Sequence, residues 1–207
     1  MVKAVIIGCG KIAQVRHIPE YLEHQAVNLV GFYDLNEKRA EELAEKYGGK
    51  AYGSVEELLA DPQIDAVSIC TANHTHAELT IKALKAGKHV LCEKPMAITL
   101  EECQRMVECA EENHRKLLIG QNQRLTRTHQ IARKLIADGE IGNVLSFQTS
   151  FQHSGPESWS VDAGKNTWFF QKKAAAMGVM GDLGIHKTDL IQYLLDDQIV
   201  EVTAEFS

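Results

Sequence analysis

No run of basic side chains stands anywhere in these 207 residues, and the formal net charge is −6 with histidine neutral. A chain so charged has no general attraction for nucleic acid or for an anionic lipid surface. No apolar stretch approaches the length needed to span a bilayer, which excludes a helical membrane span. The opening "MVKAVIIGCG" reaches glycine too soon for a secretory leader. The five cysteines, at positions 9, 70, 92, 103 and 109, are odd in number and show no paired spacing, and three lie in or just after expected buried strands. Reduced thiols in a cytoplasmic protein are the expectation. Internal repeats, low-complexity tracts and charge blocks are also missing.

What the chain does have is apolar residues at 44% and charged residues at 24%, ordinary for a soluble globular protein with a real core. Its first half alternates short β-branched runs with amphipathic stretches. Strands are expected at 4–7, 29–33, 66–69, 89–92 and 117–119, with helices at 36–47, 55–59, 77–86 and 100–113. Ser54 with Glu57, and Thr99 with Glu102, have the spacing of capping boxes. Gly48 and Gly87 follow two helix ends as left-handed caps. Uninterrupted apolar strands alternating with helices imply a parallel sheet covered on both faces.

After Gln121 the rhythm changes. A helix at 128–138 is expected to end at Gly139, and "NVLSFQTSFQ" alternates as a half-exposed strand of an antiparallel or mixed sheet does. A loop holding Gly155, Pro156 and Gly164, a helix at 184–195 and a last alternating run, "IVEVTAEFS", complete the chain. The fold class expected is α/β: a doubly wound parallel-sheet domain over 1–122, then an α+β domain over 123–207 whose sheet is incomplete, two strands making a poor one.

"AVIIGCGKIA" places Gly8-x-Gly10-x-x-Ala13 directly after a strand and at a helix start. Such glycines permit a tight turn and let backbone N–H groups approach a pyrophosphate at the positive end of the helix, while Ala13 lets that helix pack closely on the sheet. Gly8, Gly10, Lys11 and Ile12 are the expected cofactor contacts there. The second strand ends in Asp34, near the place of the acid that binds an adenosine ribose. A carboxylate at that point repels a 2′-phosphate, so NAD is expected and NADP less so. Arg39 reads as a solvated helix residue beside it. Thr71 and Asn73, after the next strand, fit the cofactor's second phosphate or ribose; His76 either joins these contacts or caps the following helix. Cys70, His74 and His76 lack a carboxylate at ligand spacing, and no metal is expected.

"CEKP" closes the strand at 89–92 with a carboxylate, an ammonium and a proline, at the edge where a doubly wound sheet opens its cleft. Lys94 there can polarise a substrate oxygen, with Glu93 fixing its orientation and Pro95 stiffening the turn, a cis bond being open to it; a surface ion pair beside a turn is the competing reading. In "MGDLGIHKTDL", Asp182, His186 and Asp189 are spaced by four and three, which is one face of a helix. A histidine bonded to a carboxylate can take a proton near neutral pH, and it can equally be a satisfied core histidine.

Taken together, the glycine motif, Glu93-Lys94-Pro95 and Asp182-x-Gly184-x-His186-x-x-Asp189 resemble the glucose–fructose oxidoreductase, inositol dehydrogenase and rhizopine-catabolism family, Gfo/Idh/MocA. The resemblance extends to "TANHTHAEL", "RLTRTHQIARKLIADGEIGNVLSF" and "WFFQKKAAAMGVMGDLGIH". It implies a Rossmann fold and oxidation of a secondary alcohol on a sugar, cyclitol or related polyol by a bound nicotinamide. It implies Lys94, Asp182 and His186 as catalytic residues, with Lys94 on the reacting oxygen and His186 as general base. Gln121 and Glu93 fall among the cofactor contacts; Arg124 and Trp168 fall beside the substrate. A homo-oligomer built on the second-domain sheet is also implied. A dinucleotide-binding regulator and an NAD-dependent glycoside hydrolase are the alternatives within the same architecture. The chain departs from the family at Ala176-Met177-Gly178, where three glycines are usual, and in ending at Ser207 before the second sheet is complete.

Overall fold

Residues 1–162 and 167–205 are described in the structure, a computed structural model of the chain. Gly164 of the expected loop, and Phe206 and Ser207 of the last alternating run, lie outside the described residues. The chain divides into two compact units, Met1–Gly120 with Ser154–Gly178, and Gln121–His153 with Val179–Ser207. By contacts, 154–178 therefore packs with the first unit, although it lies beyond the 122/123 division expected from sequence.

The first unit is built on six parallel strands in the order β3-β2-β1-β4-β5-β6. These are β1 (Val2–Ile7), β2 (Val27–Tyr33), β3 (Lys50–Ala51), β4 (Ala66–Ile69), β5 (His89–Cys92) and β6 (Leu117–Ile119). Successive side chains of a strand point to opposite faces, and here both faces are covered. Val5 and Ile7 of β1 join Val67, Ile69, Leu58, Leu84 and Met106 on one side; Ile6 joins Phe32, Leu29, Ile18 and Ala40 on the other. Ile6, Ile7 and Phe32 have no exposed surface, and each such side chain contributes about 1.5–3 kcal/mol by burial. That double coverage explains why these runs carry no polar alternation.

The flanking helices are α1 (Ile18–Glu23), α2 (Glu37–Tyr47), α3 (Val55–Ala60), α4 (His76–Lys85) and α5 (Leu100–Glu112). Both capping boxes form. Ser54 Oγ accepts from the Glu57 N–H at 3.0 Å and Thr99 Oγ1 from the Glu102 N–H at 3.1 Å. The glutamates reach back one residue further than the cap, accepting from the N–H groups of Gly53 and Ile98. Helical structure begins at Lys11, as the glycine motif implies, and continues into α1 through a turn, Ala13–His17, whose π-helical form the sequence pattern does not announce. β3, two residues long, was likewise not expected.

The second unit holds α6 (Arg127–Ala137) and α8 (Ile185–Leu195), with α8 preceded by a second π-helical turn, Met180–Gly184. A short α7 (Lys172–Ala175) belongs to the first unit. The antiparallel or mixed sheet expected here does not form: among the described residues, 143–153 and 197–205 contain no strand. Leu145 and Val200 are each 95% exposed and Val202 is 76% exposed. Alternation marks a segment able to pair, but only a ladder partner makes it a strand, and neither segment has one among these residues.

Candidate functional site

Strand order reverses direction of winding between β1 and β4, and such a sheet opens a crevice at the carboxyl ends of its central strands. A cavity of about 420 Å3 lies there. Its walls come from Ile7, Gly8, Gly10 and Lys11 after β1, from Tyr33 to Leu35 after β2, and from Cys70 to Ala72 after β4. Part of 154–178 completes it, with Trp159, Asp162 and Trp168 among the lining residues.

Gly8 has a φ of +91°, and a Cβ there would stand 2.7 Å from the backbone carbon and oxygen of Cys70. No other residue lets the β1 turn approach the end of β4 so closely. At Gly10 a Cβ would meet nothing within 4 Å, so its backbone borders open space. Asp34 fixes the turn from the other side. Its Oδ2 accepts from the Cys9 N–H at 2.7 Å and its Oδ1 from the Asn36 N–H at 2.8 Å. The Cys9 thiol is pushed up to about 12, by burial first and then by the Asp34 carboxylate, which keeps it from acting as a nucleophile near neutral pH. An open glycine turn, a helix start at Lys11 and a carboxylate at the tip of β2 fit the pyrophosphate and ribose of a dinucleotide.

Arg39 is not a solvated residue. Its side chain is 18% exposed, lines the cavity, and stands 3.4 Å from Asp34 Oδ1 and 2.5 Å from Asp162 Oδ1. Several other expected contacts are placed behind the cavity wall. The Ile12 side chain is half-buried and packs against the core cluster that holds Ala13. Asn73 is buried and donates from Nδ2 to the Ala175 carbonyl at 3.1 Å, tying 154–178 to the loop after β4. His76 has no exposed surface; its Nδ1 is 2.7 Å from the Pro95 carbonyl and its Nε2 3.1 Å from the Thr71 carbonyl. Burial lowers the His76 pKa against the pull of those two carbonyls, and the ring lies between the Thr71 loop and the Lys94-Pro95 turn, able to donate to one carbonyl when neutral and to both when protonated.

The Lys94–Pro95 peptide is cis, and Lys94 is half-buried. Glu93 is buried, its Oε2 accepting from the Lys94 N–H at 3.2 Å and its Oε1 lying 2.8 Å from His17 Nε2. Gly120 leaves the room, since a Cβ there would come within 3.2 Å of the carboxyl. Burial pushes Glu93 upward, but the His17 hydrogen bond and the charges of His17 and Lys94 outweigh it and hold the carboxyl below its ordinary value. The corner is therefore neither a surface ion pair nor self-contained. Its hidden partner, His17 at the end of the π-helical turn, was missed because 76 residues separate it from Glu93.

In the second unit, His186 and Asp189 are both buried in α8. Asp182 stands one turn earlier, in the π-helical turn that leads into α8. Asp189 receives Arg124, whose Nε donates to Oδ2 at 2.7 Å while Nη2 meets Oδ1, and the guanidinium lies 5.4 Å from the Tyr193 ring centroid. Two donors of Arg124 are thus committed to Asp189 rather than to a ligand. Asp182 Oδ2 lies 3.6 Å from His153 Nε2, and the His186 ring lies 5.7 Å from that of Phe151. Phe151 sits in the alternating segment expected to join a sheet, and His153 directly follows it. The Gln121 Oε1 atom is buried with no hydrogen-bond partner among the described residues. Among those residues, no group of three or more His, Cys, Asp or Glu side chains is placed to hold a metal ion, and no helix is long and apolar enough to cross a membrane.

The profile described as "Oxidoreductase family, NAD-binding Rossmann fold" matches residues 2–121, and that of the Gfo/Idh/MocA C-terminal domain matches 129–207. Glucose-6-phosphate 3-dehydrogenase of Bacillus subtilis is 35% identical over 97% of this chain and 55% of its own length. Myo-inositol 2-dehydrogenase of Thermotoga maritima is 31% identical over 98% of this chain and 57% of its own. A gentamicin A biosynthesis protein, solved in complex with NAD, superimposes with a TM-score of 0.81 at 27% identity, covering 94% of this chain and 53% of that one. The chain spans about half the length of the curated relatives it matches. Glycine turn, strand order and matched profiles agree: the chain belongs to the Gfo/Idh/MocA oxidoreductase family, with its NAD-binding Rossmann fold.

Proposed function

We propose that this chain carries the dinucleotide-binding and proton-transfer groups of an NAD-dependent oxidoreductase acting on a secondary alcohol of a sugar, cyclitol or related polyol. The cavity ringed by Gly8, Gly10 and Asp34 carries this reading, because its glycine turn and acid answer a pyrophosphate and a ribose that carries no phosphate. The relatives named as dehydrogenases of a sugar phosphate and of myo-inositol support the substrate class. A bound nicotinamide would supply the hydride acceptor. Lys94 hydrogen-bonds the reacting oxygen, its backbone braced by Glu93, which is itself held on His17. His186 accepts the hydroxyl proton as general base and returns it in the reverse direction. Asp182 contacts substrate hydroxyls, with Arg124 and Trp168 on the substrate side, and Gln121 and Thr71 serve the cofactor. The five free cysteines suit a reducing compartment, and we place the protein in the cytoplasm on that ground. Exposed apolar residues in the two unpaired extended segments, Leu145, Val200 and Val202, support self-association as a homo-oligomer.

The test is formation of reduced nicotinamide, followed by its near-ultraviolet absorbance, with a panel of cyclitols, aldoses and sugar phosphates. His186→Ala is expected to lower kcat on the order of a thousandfold while leaving NAD affinity near wild type. Undiminished turnover in that variant would assign the base to another group.

A further inference from the structure

Arg39 and Asp162 are 123 positions apart, yet both line the cavity beside Asp34. Arg39 Nη2 donates to Asp162 Oδ1 at 2.5 Å, and Nη1 faces Asp34 Oδ1 at 3.4 Å. With its side chain 18% exposed, the guanidinium keeps little contact with water. Its planar fork, which would otherwise match phosphate oxygens two at a time, is stretched between two carboxylates.

The dinucleotide reading of this cavity, on which this inference rests, puts Asp34 at the adenosine ribose. There, a guanidinium free to turn toward the ligand accommodates a 2′-phosphate, and a carboxylate repels one. Asp34 alone would leave Arg39 facing a single carboxylate, an even balance of charge that a phosphate could enter by displacing the longer contact. Asp162 changes that balance, because two carboxylates then surround one guanidinium and the shorter bond is the one Asp162 makes. We propose that Asp162 is a cofactor-specificity residue, which turns Arg39 away from the ribose edge and keeps the site net negative, so that rejection of a 2′-phosphate rests on Asp34 and Asp162 jointly. Asp162 is itself 64% exposed, and neutralising it leaves no buried group unpaired. Its position also explains why the sequence around Asp34 gives no sign of it: the second acid arrives from 154–178, which packs on the first unit.

The experiment is calorimetric titration of NAD and of NADP into the full chain, into Asp162→Asn, into Arg39→Ala and into the double variant, at low and at physiological ionic strength. The ratio of the NADP to the NAD dissociation constant is the readout, since any loosening of 154–178 weakens both ligands together and cancels. In Asp162→Asn the ratio is expected to fall on the order of tenfold at low salt, and by less as salt screens the charges. The double variant is expected to lose that gain, because Arg39 is the group that receives the phosphate. Asp162→Ser serves as a second variant should the amide make a bond of its own. A wild-type chain that selects NAD while both Asp162 variants keep its ratio overturns the role of Asp162 and leaves the cavity reading standing. A wild-type chain that binds NADP as tightly as NAD also overturns it. Binding of neither dinucleotide removes the cavity reading and this inference together.

Discussion

Replacing His17 by alanine tests the corner beneath Lys94. The His17 and Glu93 side chains are 8% and 11% exposed and meet at 2.8 Å. Glu93 keeps its charge in that setting only because His17 and Lys94 offset burial. His17→Ala leaves the carboxyl buried with the Lys94 N–H, at 3.2 Å, and the Lys94 charge as remaining support. Leaving a buried carboxylate short of a hydrogen-bond partner costs about 1–3 kcal/mol, and the Lys94 contribution puts the expectation at ~2 kcal/mol. Replacing both partners by apolar residues of similar volume, His17→Phe with Glu93→Leu, is expected to cost less than His17→Ala alone, since no charge is then stranded. Urea unfolding followed by circular dichroism measures both. The sign with pH follows from Glu93: its folded value lies below the ordinary 4.5, so its stabilisation is present above that value and is lost as pH falls through the folded one. The gap between wild type and His17→Ala should therefore narrow in acid below about pH 4. A loss under roughly 0.5 kcal/mol at neutral pH, or effects that simply add in the double variant, would refute a coupled buried pair.

Gly8→Ala forces a side chain onto a φ of +91° and into the Cys70 backbone at 2.7 Å; it should destabilise by roughly 2–4 kcal/mol and abolish dinucleotide binding. A wild-type melting temperature in that variant would mean the turn does not press on β4. Ala176 has a φ of +56° and a ψ of −80°, a conformation that strains any side chain, so Ala176→Gly should raise stability by about 1 kcal/mol in the same urea assay. A decrease would mean that alanine is held there by a compensating contact.

The parallel sheet could be read from the sequence because its physics is local. Val5, Ile6 and Ile7 are apolar in succession, as only a strand buried on both faces requires, and Ser54 and Thr99 announce their helices within three residues. β3 escaped because two residues carry no periodicity. The helix start after Gly10 was legible in the glycine motif, but the π-helical turns at Ala13–His17 and Met180–Gly184 were not, because they depart from the usual spacing. Gly8, Gly10, Lys11, Asp34 and Thr71 line the cavity, as their place after strands suggested. Ile12, Asn73 and His76 stand in the same motifs but turn inward, a distinction that depends on packing and not on spacing. His17 under Glu93 and Asp162 on Arg39 are long-range pairings that no local pattern encodes. The segment at 143–152 was read as a strand because alternation reports a half-exposed surface, whereas a ladder also needs a partner.

Hydrogen exchange of the full chain with and without saturating NAD, resolved by peptide, tests most directly whether the dinucleotide lies at the ends of β1, β2 and β4. Protection is predicted to rise around Gly8 to Ile12, Asp34 to Arg39 and Cys70 to Thr75, and to stay unchanged in α5 (Leu100–Glu112). Unaltered exchange in those three segments under saturating NAD, or protection confined to other parts of the chain, would contradict the account.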